Sequence, residues 1–260
     1  MDILSMVVAI VVLGILYKRM IDREVPEKIG TLQALVPVGL GVASLVLSFF
    51  LTIGSGLLLT FCGYVRDAHP VWVQSLVAAF IVAGLPEEIA KFLMIAITIL
   101  LFRKRIRNVY EYVLIGAGVG AGFTVFEEFL YGSGLAVIIF RLFLIALHMI
   151  FGIIMGYYLG KARFQKMSGK GSVFVNYVLA FIIPMALHTA HDACTGMNMY
   201  LQSDNDALEY IGIIIGIVGT IIFFVLQFTI LKQFRKNAEK YSMMTLIRQE
   251  NAAGDAAQNA

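Results

Sequence analysis

The sequence has few charged residues and few cysteines, and each scarcity excludes a class of protein. Charged residues make up 14% of the 260-residue chain, hydrophobic residues 60%, and the mean hydropathy is +0.86. Such values lie outside the usual range of soluble domains. The two cysteines, Cys62 and Cys194, are too few for a cysteine-rich zinc site or a disulfide framework, and we expect two unrelated buried thiols. The modest net charge of +3 implies no nucleic-acid surface.

Long apolar runs dominate the chain instead. They cover about residues 3–17, 34–61, 71–102, 112–131, 135–159, 173–195 and 210–231. Most are close to the ~20 residues that cross a bilayer as a helix. The sequence therefore predicts an all-α, polytopic membrane bundle with about seven transmembrane helices. Residues 1–240 are expected to form one transmembrane domain, and residues 241–260 a polar, disordered cytoplasmic tail.

The basic residues are gathered in alternate loops, which predicts the orientation. These loops run from Lys18 to Lys28, from Arg103 to Arg107, from Lys161 to Lys170 and from Lys232 to Lys240. With seven crossings they share one side, so the N-terminus is predicted outside and the C-terminus in the cytoplasm of a multi-pass cell-membrane protein. The 71–102 run is too long for one straight crossing at ~1.5 Å per residue, so we expect surface turns, a break at Pro86 or a re-entrant element.

The segment Pro86-Glu87-Glu88-Ile89-Ala90-Lys91 concentrates charge inside an apolar run. Each charged side chain at the centre of a membrane helix costs about 2.5–3.5 kcal/mol. Glu87 and Lys91 are four residues apart and share a helix face, whereas Glu88 points about 100° away. Pro86 removes a backbone donor, so carbonyls near it need polar partners. The segment is either an ion pair that locks helix packing or part of a functional site.

Other apolar runs also contain titratable side chains. Glu127 stands beside Glu128, and His148 follows Arg141 by seven residues, so these two share a face. His188 lies one turn before Asp192, whose carboxylate can orient the imidazole. The nearby His191 is off that face, and we expect it to be non-catalytic.

The predicted depths allow one common site. If the excess of the 71–102 run lies outside, Glu87, Glu127, His148 and His188 fall within roughly 6–20 Å of the outer surface at ~1.5 Å per residue. Such a set suits a carboxylate base with oxyanion-stabilising imidazoles, or a metal with oxygen and nitrogen ligands that activates water. No serine, threonine or cysteine beside a histidine suggests a nucleophile, which favours direct attack by water.

These residues also fit other classes of protein. A proton- or cation-coupled membrane transporter uses buried acids and histidines, and a water-filled path from Glu127 past His148 to the loop at 103–107 would support it. A non-catalytic receptor or scaffold is the third class. A separation of Glu87 and His188 by more than ~10 Å would favour the scaffold over an enzyme.

Four stretches together resemble the PrsW family of intramembrane proteases, which is related to the CAAX prenyl proteases of the CPBP superfamily. The family pattern is Glu-Glu-x-x-Lys, then Phe-x-x-x-Glu-Asn, then Arg followed by His in a Gly-containing helix, then Leu-His with Asn or Asp four residues later. The corresponding stretches here are Glu87 to Lys91, Phe123 to Glu127, Arg141 with His148 and Gly152, and Leu187-His188 with Asp192. They follow the family's order and mark about 71–195 as the catalytic core.

The resemblance implies a site-1-type intramembrane endopeptidase. Glu87 would be the base that activates water, Glu88 its support, and Asp192 the residue that orients His188. The full set of catalytic candidates is Glu87, Glu88, Glu127, His148, His188 and Asp192, with Lys91 and Arg141 in supporting roles. Glu128 departs from the pattern, because the family usually has Asn there, and it adds a charge.

The resemblance also bears on cofactor and substrate. A divalent metal, with zinc as the first choice, would bind Glu127, His148 and His188 if one is used, and the sequence leaves a metallo-type and a glutamate-type reaction open. The implied substrate is a single-pass membrane protein, similar to an anti-sigma factor, that is cut near the outer face.

Overall fold

A computed structural model describes residues 3–131 and 141–246 and shows a helical bundle. In chain order the helices are α1 (Ile3–Ile21), α2 (Thr31–Phe61), α3 (Val71–Val77), α4 (Leu85–Phe102), α5 (Val109–Tyr131), α6 (Leu147–Ser168), α7 (Val173–Cys194), α8 (Asp206–Lys236) and α9 (Ala238–Ser242). Short 3-10 turns lie at Arg66–Ala68 and Met199–Gln202. The described ranges contain no strand, and the all-α prediction is confirmed.

Six helical stretches in the described part of the chain are long and apolar enough to cross a membrane. They are Ile3–Ile21, Thr31–Phe61, Val109–Leu130, Arg141–Ser168, Val173–Gln202 and Asp206–Lys236. Helix α4 is not among them, since its 18 residues include Glu87, Glu88 and Lys91. The polytopic fold is confirmed, whereas the count of seven and the sides of the termini stay predictions. Residues 135–140 of the predicted 135–159 span lie outside the described residues.

The long run at 71–102 is helical throughout, and its irregularity lies just before Pro86. Helix α3 continues through a π-helical segment, Ala78–Gly84, into α4. Pro86 has no N–H to offer the carbonyl four residues earlier, that of Val82. This carbonyl accepts a hydrogen bond from the Thr52 hydroxyl of α2 at 3.0 Å instead. The expected break is therefore a π-helical distortion with a polar partner on the neighbouring helix.

Helix α5 packs closely between α2 and α6 because glycines line its faces. A Cβ atom on Gly116 would collide with the backbone of Gly152 on α6, and one on Gly120 would collide with the His148 carbonyl. Small residues of this kind let helix backbones touch in a membrane. The contact at Gly120 fixes the start of α6, and with it His148, against α5.

A group of polar and charged residues joins the loop before α2 to the start of α5, on the predicted cytoplasmic side. We call it the Arg107 cluster; its members are Glu24, Glu27, Arg107, Asn108 and Glu111. The Arg107 Nε donates to Glu111 at 2.7 Å, and the guanidinium also pairs with Glu27. Glu24 accepts from the Ile29 backbone N–H at 2.5 Å and from the Asn108 amide at 3.2 Å. The cluster therefore ties this loop to α5.

The first six residues of the predicted tail pack against the bundle. The Tyr241 ring lies 5.0 Å from that of Tyr157, and the Leu246 N–H donates to the Arg107 carbonyl at 2.7 Å. Residues 247–260 lie outside the described residues, and for them the predicted disorder stays a prediction. Both cysteines are free, but Cys62 is exposed rather than buried.

Candidate active site

The first two turns of α4 present the acidic pair and the lysine to the centre of the bundle. The Lys91 ammonium lies 2.6 Å from Glu88 Oε1 and 3.7 Å from Glu87 Oε2. Lys91 and Glu88 are completely buried. The sequence suggested that Lys91 would pair with Glu87, four residues away, but the closer contact is with Glu88. Lys91 also lies over the Phe123 ring, 4.1 Å from its centroid, which adds a cation–π contact.

His188 is held from both sides of its ring. Its Nδ1 lies 2.6 Å from Glu88 Oε1, while Nε2 lies 3.7 Å from Glu87 Oε2 and 3.3 Å from Asp192 Oδ2. An ionised carboxylate only accepts, so Nδ1–H donates to Glu88 and Nε2 faces the other two carboxylates. The Phe151 ring stacks on the imidazole at 5.4 Å between centroids. Glu88 is thus the closer orienting group, and Asp192 a second one.

His148 bridges the lysine and the acidic end of α5. Its Nδ1 is 2.8 Å from Lys91 Nζ, and its Nε2 is 2.8 Å from Glu127 Oε2. An ammonium group only donates, so Nδ1 accepts and Nε2 of the neutral ring donates to Glu127. The two imidazole rings are 5.1 Å apart between centroids. We call Glu87, Glu88, Lys91, His148 and His188 the α4 cluster.

Arg141 neutralises the acidic end of α5. Its Nε donates to Glu128 Oε1 at 2.9 Å, and Nη2 lies 3.4 Å from Glu127 Oε1. The extra charge that Glu128 brings to this position therefore has a cationic partner. His191 binds Asp192 Oδ1 at 2.8 Å, so it contacts the site through Asp192.

A cavity of about 950 Å³ lies over the α4 cluster. Its lining includes Glu87, Glu127, His148 and His188 together with apolar residues of α8. Enzyme pockets for small molecules span roughly 300–1,000 Å³, so the space admits several residues of a peptide. Several polar groups of the site thus lie at the lining of one cavity.

The profile of a family described as PrsW family intramembrane metalloprotease matches residues 29–231. The chain belongs to the PrsW family. It is 30% identical over 148 residues to a Protease PrsW of Bacillus subtilis, covering 56% of this chain and 66% of that protein. It is 32% identical over 132 residues to a Protease PrsW of Halalkalibacterium halodurans, covering 48% and 58%.

A third relative, a Protease PrsW of Geobacillus kaustophilus, is 30% identical over 135 residues, with 51% of this chain and 58% of that protein covered. The chain spans less than two thirds of the length of these curated relatives. No solved structure matches it. Together with the apolar helices, the family assignment makes this a multi-pass protein of the cell membrane.

The family description raises the question of a metal, and the side chains fit one. One ligand atom each from Glu87, His148 and His188 lie within 4.8 Å of one another. Two imidazoles and a carboxylate are a donor set that suits zinc. Glu87 Oε2 is buried without a hydrogen-bond partner among the described residues, and the His188 Nε2 beside it faces carboxylates, so a cation would suit both. His188 also shows the usual arrangement of a metal-binding histidine, with its other N–H on a carboxylate.

The compact group that could hold a metal differs from the predicted ligand set in one member. The compact group contains Glu87 in place of Glu127, because Glu127 is held between His148 and Arg141. His148 would have to give up its bond to Glu127 to bind a metal through Nε2. The acid or metal roles of the individual residues stay predictions.

Sequence reasoning missed two residues that support the site. Phe151 stacks on His188, and nothing in its apolar surroundings marks it. Gln227 of α8 is buried; its Oε1 accepts from the Ala146 backbone N–H at 3.2 Å, and its Nε2 donates to the Phe143 carbonyl. It thereby holds the turn that leads into His148. A lone amide in the apolar 210–231 run was the available signal.

Proposed function

We propose that this PrsW-family protein is an intramembrane endopeptidase that cleaves a single-pass membrane protein, of the anti-sigma-factor type, near the outer face of the membrane. The observation that supports it best is the meeting of Glu87, His148 and His188 within 4.8 Å at the wall of an open cavity. A water molecule and a peptide carbonyl can be bound between such groups. The PrsW family match supports the same activity.

In the proposed reaction Glu87 is the general base. Its carboxylate takes a proton from a water molecule as the water oxygen attacks the peptide carbonyl carbon, and the same carboxyl later gives the proton to the departing amine. The His148 Nε2–H, once it leaves the Glu127 oxygen, stabilises the negative charge that develops on the carbonyl oxygen. Glu88 and Asp192 hold the His188 ring in place, so the base and the imidazoles keep their spacing.

The same three side chains, Glu87, His148 and His188, would hold a divalent metal. When bound, such an ion polarises the substrate carbonyl and makes its water ligand more acidic. With or without a metal, the contact between Glu88 and His188 Nδ1 keeps His188 Nε2 directed towards Glu87. Arg141 neutralises the charges of Glu127 and Glu128 beside these residues.

The alternatives have less support. Glu87 and His188 lie 3.7 Å apart, well inside the ~10 Å separation at which a scaffold would have been preferred. The PrsW family match does not favour a transporter.

The test replaces Glu87 by glutamine and His188 by asparagine in the full chain. Because a positioned acid–base group contributes about 10²–10⁴ in rate, each variant should cleave at least about 10²-fold more slowly than the parent. Parent and variants are expressed with a panel of tagged single-span membrane proteins from the host, and cleaved fragments are quantified by immunoblot. Metal analysis of the same purified proteins tests the metal role, since His188→Asn should also lower the bound zinc.

The matched control is Glu24→Gln, which changes a buried glutamate far from the cavity and should leave cleavage per folded molecule unchanged. A Glu87→Gln variant that cleaves as fast as the parent would overturn the proposal.

A further inference from the structure

Helix α8 contributes to the lining of the cavity that also contains Glu87, His148 and His188 of the α4 cluster. The residues that line it recur at intervals of three and four and so share one helix face: Ile213, Gly216, Ile217, Thr220 and Ile221. The charged side chains of the cavity lie on the other elements. The cavity is therefore lined by carboxylate and imidazole side chains from other elements and by an apolar surface from α8.

Thr220 does not make this wall polar. Its hydroxyl donates to the Gly216 carbonyl at 2.7 Å, one turn earlier in the same helix. Because the hydroxyl proton is already used, it offers no donor to an occupant of the cavity. The surface that α8 presents is apolar and is shaped by two small residues.

The glycines of α8 serve two different purposes. A Cβ atom on Gly219 would lie 2.6 Å from the Cβ of Cys194, so this glycine is required for the contact between α8 and α7. A Cβ atom on Gly216 would lie 3.5 Å from the Cys194 carbonyl oxygen, an ordinary contact distance. Helix packing thus requires glycine at Gly219 but not at Gly216, where the small residue keeps the cavity wide.

We propose that Gly216 and Thr220 form the floor of a subsite that takes a large apolar side chain, such as leucine, of the residue next to the scissile bond. This inference rests on the proposed function, because the same cavity contains Glu87 and His188. A peptide whose carbonyl lies at these groups shares the cavity with this face of α8, which can receive a neighbouring side chain. An aspartate there would be desolvated against the apolar wall and close to Glu87 and Asp192, so the subsite excludes it.

The experiment measures occupancy of the cavity without requiring cleavage. Cys194 lines the cavity, and in a Cys62→Ser full chain it is the only thiol. The rate at which N-ethylmaleimide alkylates Cys194 is followed by intact mass spectrometry, with and without a short apolar peptide that carries a central leucine. We expect the leucine peptide to slow alkylation about tenfold and its central-aspartate counterpart to have little effect.

Two substitutions on α8 identify the subsite. Thr220→Phe should fill it and remove the protection by the leucine peptide. Thr229→Phe is the matched control, because Thr229 also bonds back to its own helix, to the Val225 carbonyl at 2.8 Å, but does not line the cavity. It should keep the protection. If Thr220→Phe fails to fold, Gly216→Leu takes its place.

The proposal is overturned if the leucine peptide gives no protection, or if Thr220→Phe and Gly216→Leu keep the protection by the leucine peptide. It is also overturned if both peptides protect equally, because that result indicates nonspecific filling of the cavity. The proposed function fails separately: a Glu87→Gln variant that cleaves normally would remove the role of Glu87 while the binding result stands.

Discussion

Two groups of charged residues, each with buried members, lie near opposite ends of α5, and they differ in how many of their carboxylate oxygens have hydrogen-bond partners. In the Arg107 cluster, the guanidinium binds Glu27, Glu111 and the Lys28 carbonyl, and the Arg107 backbone N–H binds Glu111 as well. Both Glu24 oxygens also have donors. None of its members lines the cavity over the α4 cluster.

The α4 cluster, in contrast, contains two carboxylate oxygens without a hydrogen-bond partner among the described residues. They are Glu87 Oε2 and Glu88 Oε2, and both are buried. A buried polar group without a partner costs about 1–3 kcal/mol, so a group kept only for stability would tend to be paired. The Arg107 cluster thus ties a loop to a helix, whereas the α4 cluster has unpaired buried oxygens and includes Glu87, His148 and His188, which line a cavity.

The largest change in stability and cleavage is expected when the α4 cluster loses its cation, compared with the same change in the Arg107 cluster. Lys91→Met strands the buried Glu88, and breaking a buried ion pair costs about 3–5 kcal/mol, so the variant should melt well below the parent and should not cleave. Arg107→Met should cost less stability, since Arg107 is partly exposed, and should leave cleavage per folded molecule unchanged. Thermal unfolding in detergent and the fragment assay measure the two effects.

A double variant separates folding from chemistry. Lys91→Met combined with Glu88→Leu removes both charges, which should recover much of the lost stability but no cleavage. Cleavage by Lys91→Met at the parent rate would mean that the α4 cluster, like the Arg107 cluster, only supports the fold.

A smaller effect is expected at Gln227, which joins α8 to the turn before His148. Gln227→Leu leaves the Ala146 N–H and the Phe143 carbonyl without their side-chain partner, which should cost about 1–3 kcal/mol and slow cleavage. Asn176→Leu is the matched control, because this buried amide binds Gln165 and Ser172 at the other end of α7. It should lower the melting temperature only. Equal cleavage by both variants would exclude a positioning role for Gln227.

The sequence was sufficient to predict the elements and the polar residues of the site, because a charge in an apolar run stands out. It predicted the helical bundle, and the glutamates and histidines it singled out meet in space. A break at Pro86 was one of three alternatives that the length of the 71–102 run left open, and a need for polar partners near Pro86 was expected.

The pairing of these residues could not be predicted from spacing. Lys91 lies closest to Glu88 rather than Glu87, and His188 of α7 contacts the same Glu88 oxygen, a contact that spacing within α4 cannot show. The roles of Phe151 and Gln227 depend on contacts between helices far apart in the chain. Helix periodicity gives the face of each residue but not which neighbour that face meets.

The smallest expected effect is the pH dependence of stability that Glu24 gives the Arg107 cluster. Burial raises the pKa of Glu24 from 4.5 to about 7; the Glu111 carboxylate adds to this rise, while hydrogen bonds from Asn108 and Ile29 oppose it. The folded state thus binds this proton more tightly than the unfolded state does. The resulting stabilisation is complete below pH 4.5 and is lost as the pH rises through about 7.

The glutamine in Glu24→Gln cannot titrate. The variant should therefore lose the part of the dependence of melting temperature on pH that Glu24 causes between pH 4.5 and about 7. The melting temperature of Glu24→Gln should also be lower by a constant amount at every pH, since the glutamine NH₂ group must face the donors that Glu24 accepts from. Ser242→Ala is the non-titrating control, because the Ser242 hydroxyl contacts the Val25 backbone beside Glu24 at 3.4 Å and should leave the slope intact. An unchanged slope in Glu24→Gln would mean that Glu24 is charged throughout, and that the Arg107 cluster compensates its carboxylates more fully than burial alone indicates.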